Sequence, residues 1–157
     1  MRIAVISDTH GEVEKAETAL LELDEFIGFF HAGDFYQDYL KLRSKFPVDI
    51  TAGVSGNLDP LIYPSCLVME IINYKIMLVH GHEFNVKFNF NNLKFAAEEK
   101  EVDIVIFGHT HVAFSEREGN IVYFNPGSVQ ETKNKSSIGL IKLREDVKYI
   151  DTKIVYL

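Results

Sequence analysis

Ile3-Ala4-Val5-Ile6-Ser7-Asp8-Thr9-His10 decides the fold. Four apolar residues in a row are too few for a buried helix. Closed by polar residues and Gly11, they read as a strand covered on both faces. The same unit recurs downstream. Glu12 to Leu23 carries Ala16, Ala19, Leu20 and Leu23 at helical spacing, and Phe26 to His31 is a second apolar run closed by Ala32-Gly33-Asp34. Tyr36 to Lys45 reads as a helix that stops ahead of Pro47. Val48 to Val54 is a third strand, ended by Ser55-Gly56-Asn57. Strand, helix, strand, helix, strand is the pattern of a parallel α/β sheet.

The remaining chain changes character. Leu67 to Ile72 and Lys75 to Val79 read as a hairpin turning at Asn73-Tyr74. Asn92 is placed to cap a helix running to about Lys100, with Leu93, Ala96 and Ala97 on one face. Asp103 to Phe107 is another buried strand. Val112 to Arg117, Ile121 to Asn125, Ile138 to Leu143 and Lys148 to Val155 follow as antiparallel strands, the first two joined at Glu118-Gly119-Asn120. The expected architecture is α/β: two packed mixed β-sheets, a β-sandwich, flanked by α-helices, with residues 1–157 forming a single domain. Phe84, Val86, Phe88 and Phe90 alternate; they read as a segment tucking aromatics into the core, or else as a flap beside the site.

Composition sets outer limits. The 157 residues are 46% apolar, with 12 Phe and 7 Tyr, enough for a real core and against global disorder. The net charge of −7 disfavours a non-specific nucleic-acid binder. Bound cations reverse charge locally, so a small phosphate ester remains compatible. The one cysteine, Cys66, has no disulfide partner and lies in an apolar stretch, as a buried core thiol does. Met1 to Ile6 lacks the form of an export signal, and no apolar run approaches the roughly 20 residues of a membrane helix. A cytoplasmic protein with no membrane association is expected.

The polar signals fall just after the predicted strands: Asp8 and His10, then Asp34, then Asn57 and Asp59, then His80 and His82, then His109 and His111. Ligands gather outside the carboxyl ends of strands in open sheets. Five such ends meeting would bring these groups into one cleft. Imidazole, carboxylate and amide oxygen together select divalent metals of the manganese-to-zinc row. Asp8 and His10 are two apart, as are His109 and His111, and on an extended chain each pair points one way. Two divalent ions, set against Asp8, Asp34 and one bridging hydroxide, leave about +1 to attract a phosphoryl oxygen. His31, ending a buried run, reads as a hydrogen-bonded core histidine. His82 either faces the phosphate or hydrogen-bonds its loop. Asn125-Pro126-Gly127-Ser128 reads as a tight turn, or as part of the cleft wall.

Asp8-Thr9-His10, Gly33-Asp34, Gly56-Asn57-Leu58-Asp59, His80-Gly81-His82 and Gly108-His109-Thr110-His111, in this order, resemble the signature of calcineurin-like metallophosphoesterases. The short chain and Asn125 to Ser128 are most similar to the small YfcE-like phosphodiesterase branch. The resemblance implies two divalent ions (Mn, Ni, Fe or Zn, with Mn favoured). Asp8, His10, Asp34 and His111 would hold the first; Asp34, Asn57, His80 and His109 would hold the second, with Asp34 bridging. It implies hydrolysis of a small or nucleotide-like phosphodiester by a hydroxide on the dinuclear centre. His109 would help hold the developing charge, and Asp59 would orient a neighbouring group. It also implies a possible homo-oligomer.

Two departures bear on chemistry. Leu58 stands where many relatives place a proton-donating His, and no Arg follows Asp38, unlike the family's protein phosphatases. Turnover should therefore be slow on poor leaving groups, and a phosphoprotein phosphatase role loses support. The alternatives are a phosphomonoesterase, or a non-catalytic scaffold like the retromer subunit of this fold. Such scaffolds usually lose ligands, and this chain retains all seven.

Overall fold

The first strand, β1 (Arg2–Ile6), has two buried faces. Ile3 and Val5 point into one apolar cluster, Ala4 and Ile6 into another, as period-two geometry requires. That double burial makes the run continuously apolar, and it places helices on one side and a second sheet on the other. The computed structural model describes residues 1–157 except Asp24.

After β1 come α1 (Val13–Leu21), β2 (Gly28–His31), α2 (Tyr36–Lys45) and β3 (Ile50–Gly53). Strands β1, β2 and β3 are parallel, with Ile3 opposite Gly28 and Gly28 opposite Ile50. β4 (Cys66–Ile71) and β5 (Tyr74–Val79) form a hairpin. A short 3₁₀ turn (His82–Phe84) and α3 (Asn91–Glu99) lead to β6 (Ile104–Ile106), which pairs parallel to β5. β7 (Phe114–Glu118) and β8 (Ile121–Asn125) form a second hairpin on the far side of β6. β9 (Ser137–Leu143) then crosses to the first sheet and pairs antiparallel to β1, with β10 (Ile150–Tyr156) outside it. The sheet orders are β10-β9-β1-β2-β3 and β4-β5-β6-β8-β7.

Three apolar clusters account for the layers. Ile3, Val5 and Phe30 of the first sheet meet Ile76, Leu78, Ile104, Ile106 and Phe124 of the second. Ala4, Ile6 and Phe29 carry α1 and α2 through Ala16, Leu20, Tyr39 and Leu42. Met77, Val79, Val105 and Phe107 carry α3 through Leu93 and Ala97. This is the expected sandwich of two mixed sheets with helices outside. Among the described residues no helix is long and apolar enough to cross a membrane.

Several local expectations shift. The β4–β5 turn is Ile72-Asn73, not Asn73-Tyr74: Tyr74 is fully buried in β5, and its hydroxyl donates to the Arg144 carbonyl (2.7 Å) and accepts from the Tyr149 N–H (2.9 Å). Ile72 takes the positive φ instead. Asn92 does not cap α3, which begins at Asn91; the Asn89 side chain accepts the Asn91 N–H. β7 starts two residues later than expected because Thr110 Oγ1 holds the Val112 N–H in a turn. Of Phe84, Val86, Phe88 and Phe90 only Val86 is buried, while Phe88 is 87% exposed. Cys66 is half-buried, and burial raises its thiol pKa.

Candidate metal centre

The strand ends turn sharply, and the turns do the positioning. Asp8, His10, Asp34, His109 and His111 all have positive φ, between 46° and 66°. Left-handed backbone at a non-glycine residue costs about 1–2 kcal/mol each, so the surroundings must enforce all five. Asp8 and His10 converge for this reason and not because the chain is extended, as their spacing suggested. His109 and His111 do not share a direction at all: one turns toward His80, the other toward Asp8.

Two groups result. In the first, ligand atoms of Asp8, His10, Asp34 and His111 all lie within 4.8 Å of one another. His111 Nε2 is 3.1 Å from Asp8 Oδ1, and His10 Nε2 is 3.7 Å from Asp34 Oδ2. In the second, His80 Nε2 is 3.4 Å from Asp34 Oδ1 and 3.2 Å from His109 Nδ1. The Asp34 carboxylate thus sends one oxygen to each group. Asn57 is exposed on the loop after β3, and its side chain makes no hydrogen bond to the described residues. Its neighbours are fixed: the Leu58 N–H donates to Asp34 Oδ1 (3.2 Å). Gly56 lies so close that a Cβ there would meet Asp34 Oδ1 at 2.0 Å. Gly108 is as tight, its would-be Cβ falling 1.9 Å from Ser7 Oγ and 2.7 Å from Asp8 Oδ2.

Asp8 Oδ1 is buried and has no hydrogen-bond partner. An unpartnered buried carboxylate oxygen costs several kcal/mol. Ringed by imidazole nitrogens, it fits a cation better than any proton arrangement, and the mixed nitrogen and oxygen donors suit the manganese-to-zinc row. The histidines are oriented accordingly. His80 Nδ1 donates to the Ala32 carbonyl (2.8 Å), which leaves Nε2 for the centre. Burial pulls the His80 pKa down, but the Asp34 hydrogen bond and the charges of Asp8 and Asp34 outweigh it and raise the value. A bound divalent cation would take that proton's place. Burial opposes ionisation of Asp34 too, yet His80 and the Leu58 N–H hold its pKa at about 2. His109 is lowered to about 4 by burial, then by the charges of His80 and Lys87.

Around the candidate ligands sits a brace, of which sequence reading missed Asp38. Asp38, 1% exposed, accepts from Thr9 Oγ1 (2.9 Å) and the Gly11 N–H (2.8 Å), fixing the segment that bears Asp8 and His10. Asn125 Nδ2 donates to the Gly108 carbonyl (2.9 Å), and Ser128 Oγ donates to the Asp8 carbonyl (3.0 Å). The Asn125 to Ser128 turn therefore shapes the site floor. Asp59 accepts the Tyr36 N–H at the start of α2 (2.7 Å) and the Gly56 N–H (2.8 Å), tying two ligand loops together. The His82 ring lies 5.5 Å from that of His80 and 6.0 Å from that of His109, with Nδ1 buried and unpartnered.

His31 is the core histidine expected. Its Nδ1 accepts from the Gly33 N–H (3.3 Å), and Nε2 faces Thr9 Oγ1 (3.1 Å). Burial lowers its pKa to about 4 against the Asp8 and Asp38 charges. The unfolded chain, with pKa 6.5, binds this proton first as pH falls. Stability is therefore full above about pH 6.5 and declines toward pH 4. Between pH 7 and pH 5 His31 should account for about 2 kcal/mol of lost stability. In urea titrations of chelator-treated protein, His31→Gln should flatten the pH slope by that amount. An unchanged slope would mean that His31 is not held neutral.

The model of the calcineurin-like phosphoesterase superfamily domain matches residues 1–146. The chain belongs to this superfamily. A probable metallophosphoesterase of Bacillus subtilis, YsnB, is 30% identical over 154 residues, covering 93% of this chain and 86% of the relative. A solved protein from Streptococcus pneumoniae, described as a predicted phosphoesterase, is 30% identical. It superposes with a TM-score of 0.77 over 99% of this chain and 88% of its own. Vps29 from Entamoeba histolytica, solved with zinc, shares the fold at 20% identity, with a TM-score of 0.72 and 99% of both chains covered.

Proposed function

We propose that residues 1–157 act as one metal-dependent phosphodiesterase unit on a small or nucleotide-like phosphodiester. The buried Asp8 Oδ1, without a hydrogen-bond partner among the histidine nitrogens around it, carries the reading, because a bound cation would satisfy it. Asp8, His10, Asp34 and His111 would hold one divalent ion. Asp34, Asn57, His80 and His109 would hold a second, with Mn²⁺ favoured. The split of the Asp34 oxygens between the two groups supports the pair. Such ions supply a nucleophile from water at neutral pH and positive charge against the phosphoryl oxygens. The protein's own part is placement: Asp38, Asn125 and Ser128 hold the ligand loops, and Asp59 keeps the Asn57 loop against α2. His109, with its lowered pKa, presents a neutral ring at neutral pH. A purely scaffolding role, the alternative, gives no reason to keep five strained ligand positions.

Chelator-stripped protein should regain bis-p-nitrophenyl phosphate hydrolysis when Mn²⁺, Ni²⁺ or Zn²⁺ is restored. Folded protein inert with every metal would overturn the reading. The leaving group supplies a second check. Leu58, 59% exposed beside Asp34, has no proton to give. Alkyl esters should thus be cut far more slowly than aryl esters. Leu58→His should speed alkyl esters by about 10²-fold, the lower range of general-acid assistance, and leave the p-nitrophenyl ester unchanged. Equal alkyl and aryl rates in the unaltered protein would show that another donor serves.

A further inference from the structure

A pocket of about 550 Å³ opens beside the metal centre, lined by Val112, Ala113, Lys133, Asn134, Lys135 and Tyr156. It starts at the residue after His111. Asn134 Nδ2 donates to the His111 carbonyl at 3.2 Å, so the lysine-bearing segment is fastened to a candidate ligand. The opposite wall is equally fixed. Thr110 Oγ1 holds the Val112 N–H (3.2 Å) and itself accepts from Asn125 Nδ2 (3.1 Å). Tyr156 stands opposite Ser137 in the β9–β10 ladder, and Ser137 Oγ donates to the Pro126 carbonyl (2.7 Å).

Both lining lysines are exposed, and like Lys142 and Lys153 they stand outside the carboxylate pairs that hold Lys15, Lys41, Lys45, Lys94 and Lys148. Lys133 and Lys135 have no carboxylate within 4.0 Å among the described residues, although the chain is acidic at −7. Two ammonium groups two residues apart repel each other and any cation at the neighbouring centre. An anion in the pocket reverses the sign of both effects. The Tyr156 ring, 62% exposed, offers a flat face beside them for a sugar or base.

We infer that this pocket receives a second phosphate of the substrate: one alcohol of the scissile diester carries a further phosphate group, as a nucleoside bisphosphate unit does. Lys133 and Lys135 bind that phosphate, and Tyr156 lies along the nucleoside. The inference rests on the phosphodiesterase reading and narrows its substrate class.

Calorimetry in Mn²⁺ with thymidine 3′,5′-bisphosphate and thymidine 5′-monophosphate tests it, alongside a bis-p-nitrophenyl phosphate assay of the same preparation. The bisphosphate should bind about tenfold tighter at low salt, as two exposed ion pairs allow, and the preference should shrink as salt rises. Lys133→Ala/Lys135→Ala should abolish the preference and leave bis-p-nitrophenyl phosphate hydrolysis unchanged. Lys142→Ala/Lys153→Ala, with the same change in net charge, should keep the preference. Equal binding of the two nucleotides, or a preference that survives loss of Lys133 and Lys135 or disappears with the control pair, would overturn the inference. Failure of bis-p-nitrophenyl phosphate hydrolysis with the lysine-dependent preference intact would instead fall on the phosphodiesterase reading alone.

Discussion

Asp34→Asn should lose at least about a hundredfold in metal-dependent hydrolysis, since disturbing even a ligand's supporting partner has that effect. Asp34 sends one oxygen to each group, Oδ2 to His10 and Oδ1 to His80. The amide keeps one oxygen and turns the other position into an N–H₂ donor, which repels a cation. It also removes a negative charge that offsets the ions. Calorimetric titration with Mn²⁺ separates this cause from simple disorder: the variant should fall from two sites per chain to one or none while its far-ultraviolet spectrum is unchanged. Asp146→Asn, which removes the same charge at an exposed site paired with Arg144, should retain both sites. An Asp34→Asn protein with full metal stoichiometry and full activity would rule out a bridging carboxylate at this position.

The strands and the candidate site residues stood out in the sequence for the same reason. Strands buried on both faces read as unbroken apolar runs, so the polar residues that end them stand out. Asp8, Asp34, His80 and His109 each follow such a run directly. The backbone between them was not legible. Spacing of two suggested parallel side chains for Asp8 and His10 and for His109 and His111, whereas left-handed turns send the second pair into different groups. No propensity rule predicts positive φ at Asp or His when long-range packing enforces it. The close approaches of Gly56 to Asp34 and of Gly108 to Ser7 explain why glycine stands before Asn57 and His109, and they join residues 22 and 101 positions apart. Tyr74 was taken for a turn residue because the acceptor that draws its hydroxyl inward is Arg144, at the other end of the chain. Asp38 was weighed only for the Arg it lacks behind it. Its role depends on Thr9 and Gly11, 29 and 27 positions away. Its helical setting in α2 gave one usable sign: Asp38 lies in the same helix as the buried Tyr39 and Leu42 and is itself on a covered side.

Asp38→Ala should lower the stability of the metal-free protein by about 2 kcal/mol, within the range for stranding the buried Thr9 hydroxyl. The Gly11 N–H, at an exposed residue, would turn to water. As a donor the Thr9 hydroxyl would retain only the Asp34 carbonyl at 3.3 Å, while His31 Nε2 stays against its oxygen. Freed from Asp38, the segment bearing Asp8 and His10 would no longer be held in its left-handed turns, and relaxation of those turns is downhill by the strain they store. Metal affinity should therefore fall as well, by about 10–100-fold, as for other residues that orient ligands without touching the ion. Asp38→Asn separates the two effects: one acceptor oxygen still serves Thr9 and Gly11, so both losses should be smaller, and Mn²⁺ at saturating concentration should restore most of the activity. Urea unfolding in chelator reads the first quantity and calorimetry the second. A large stability loss with Mn²⁺ affinity unchanged would reduce Asp38 to a packing role and would place the positioning of Asp8 and His10 on Ser128 and the Gly33 carbonyl, which hold the Asp8 backbone from the other side.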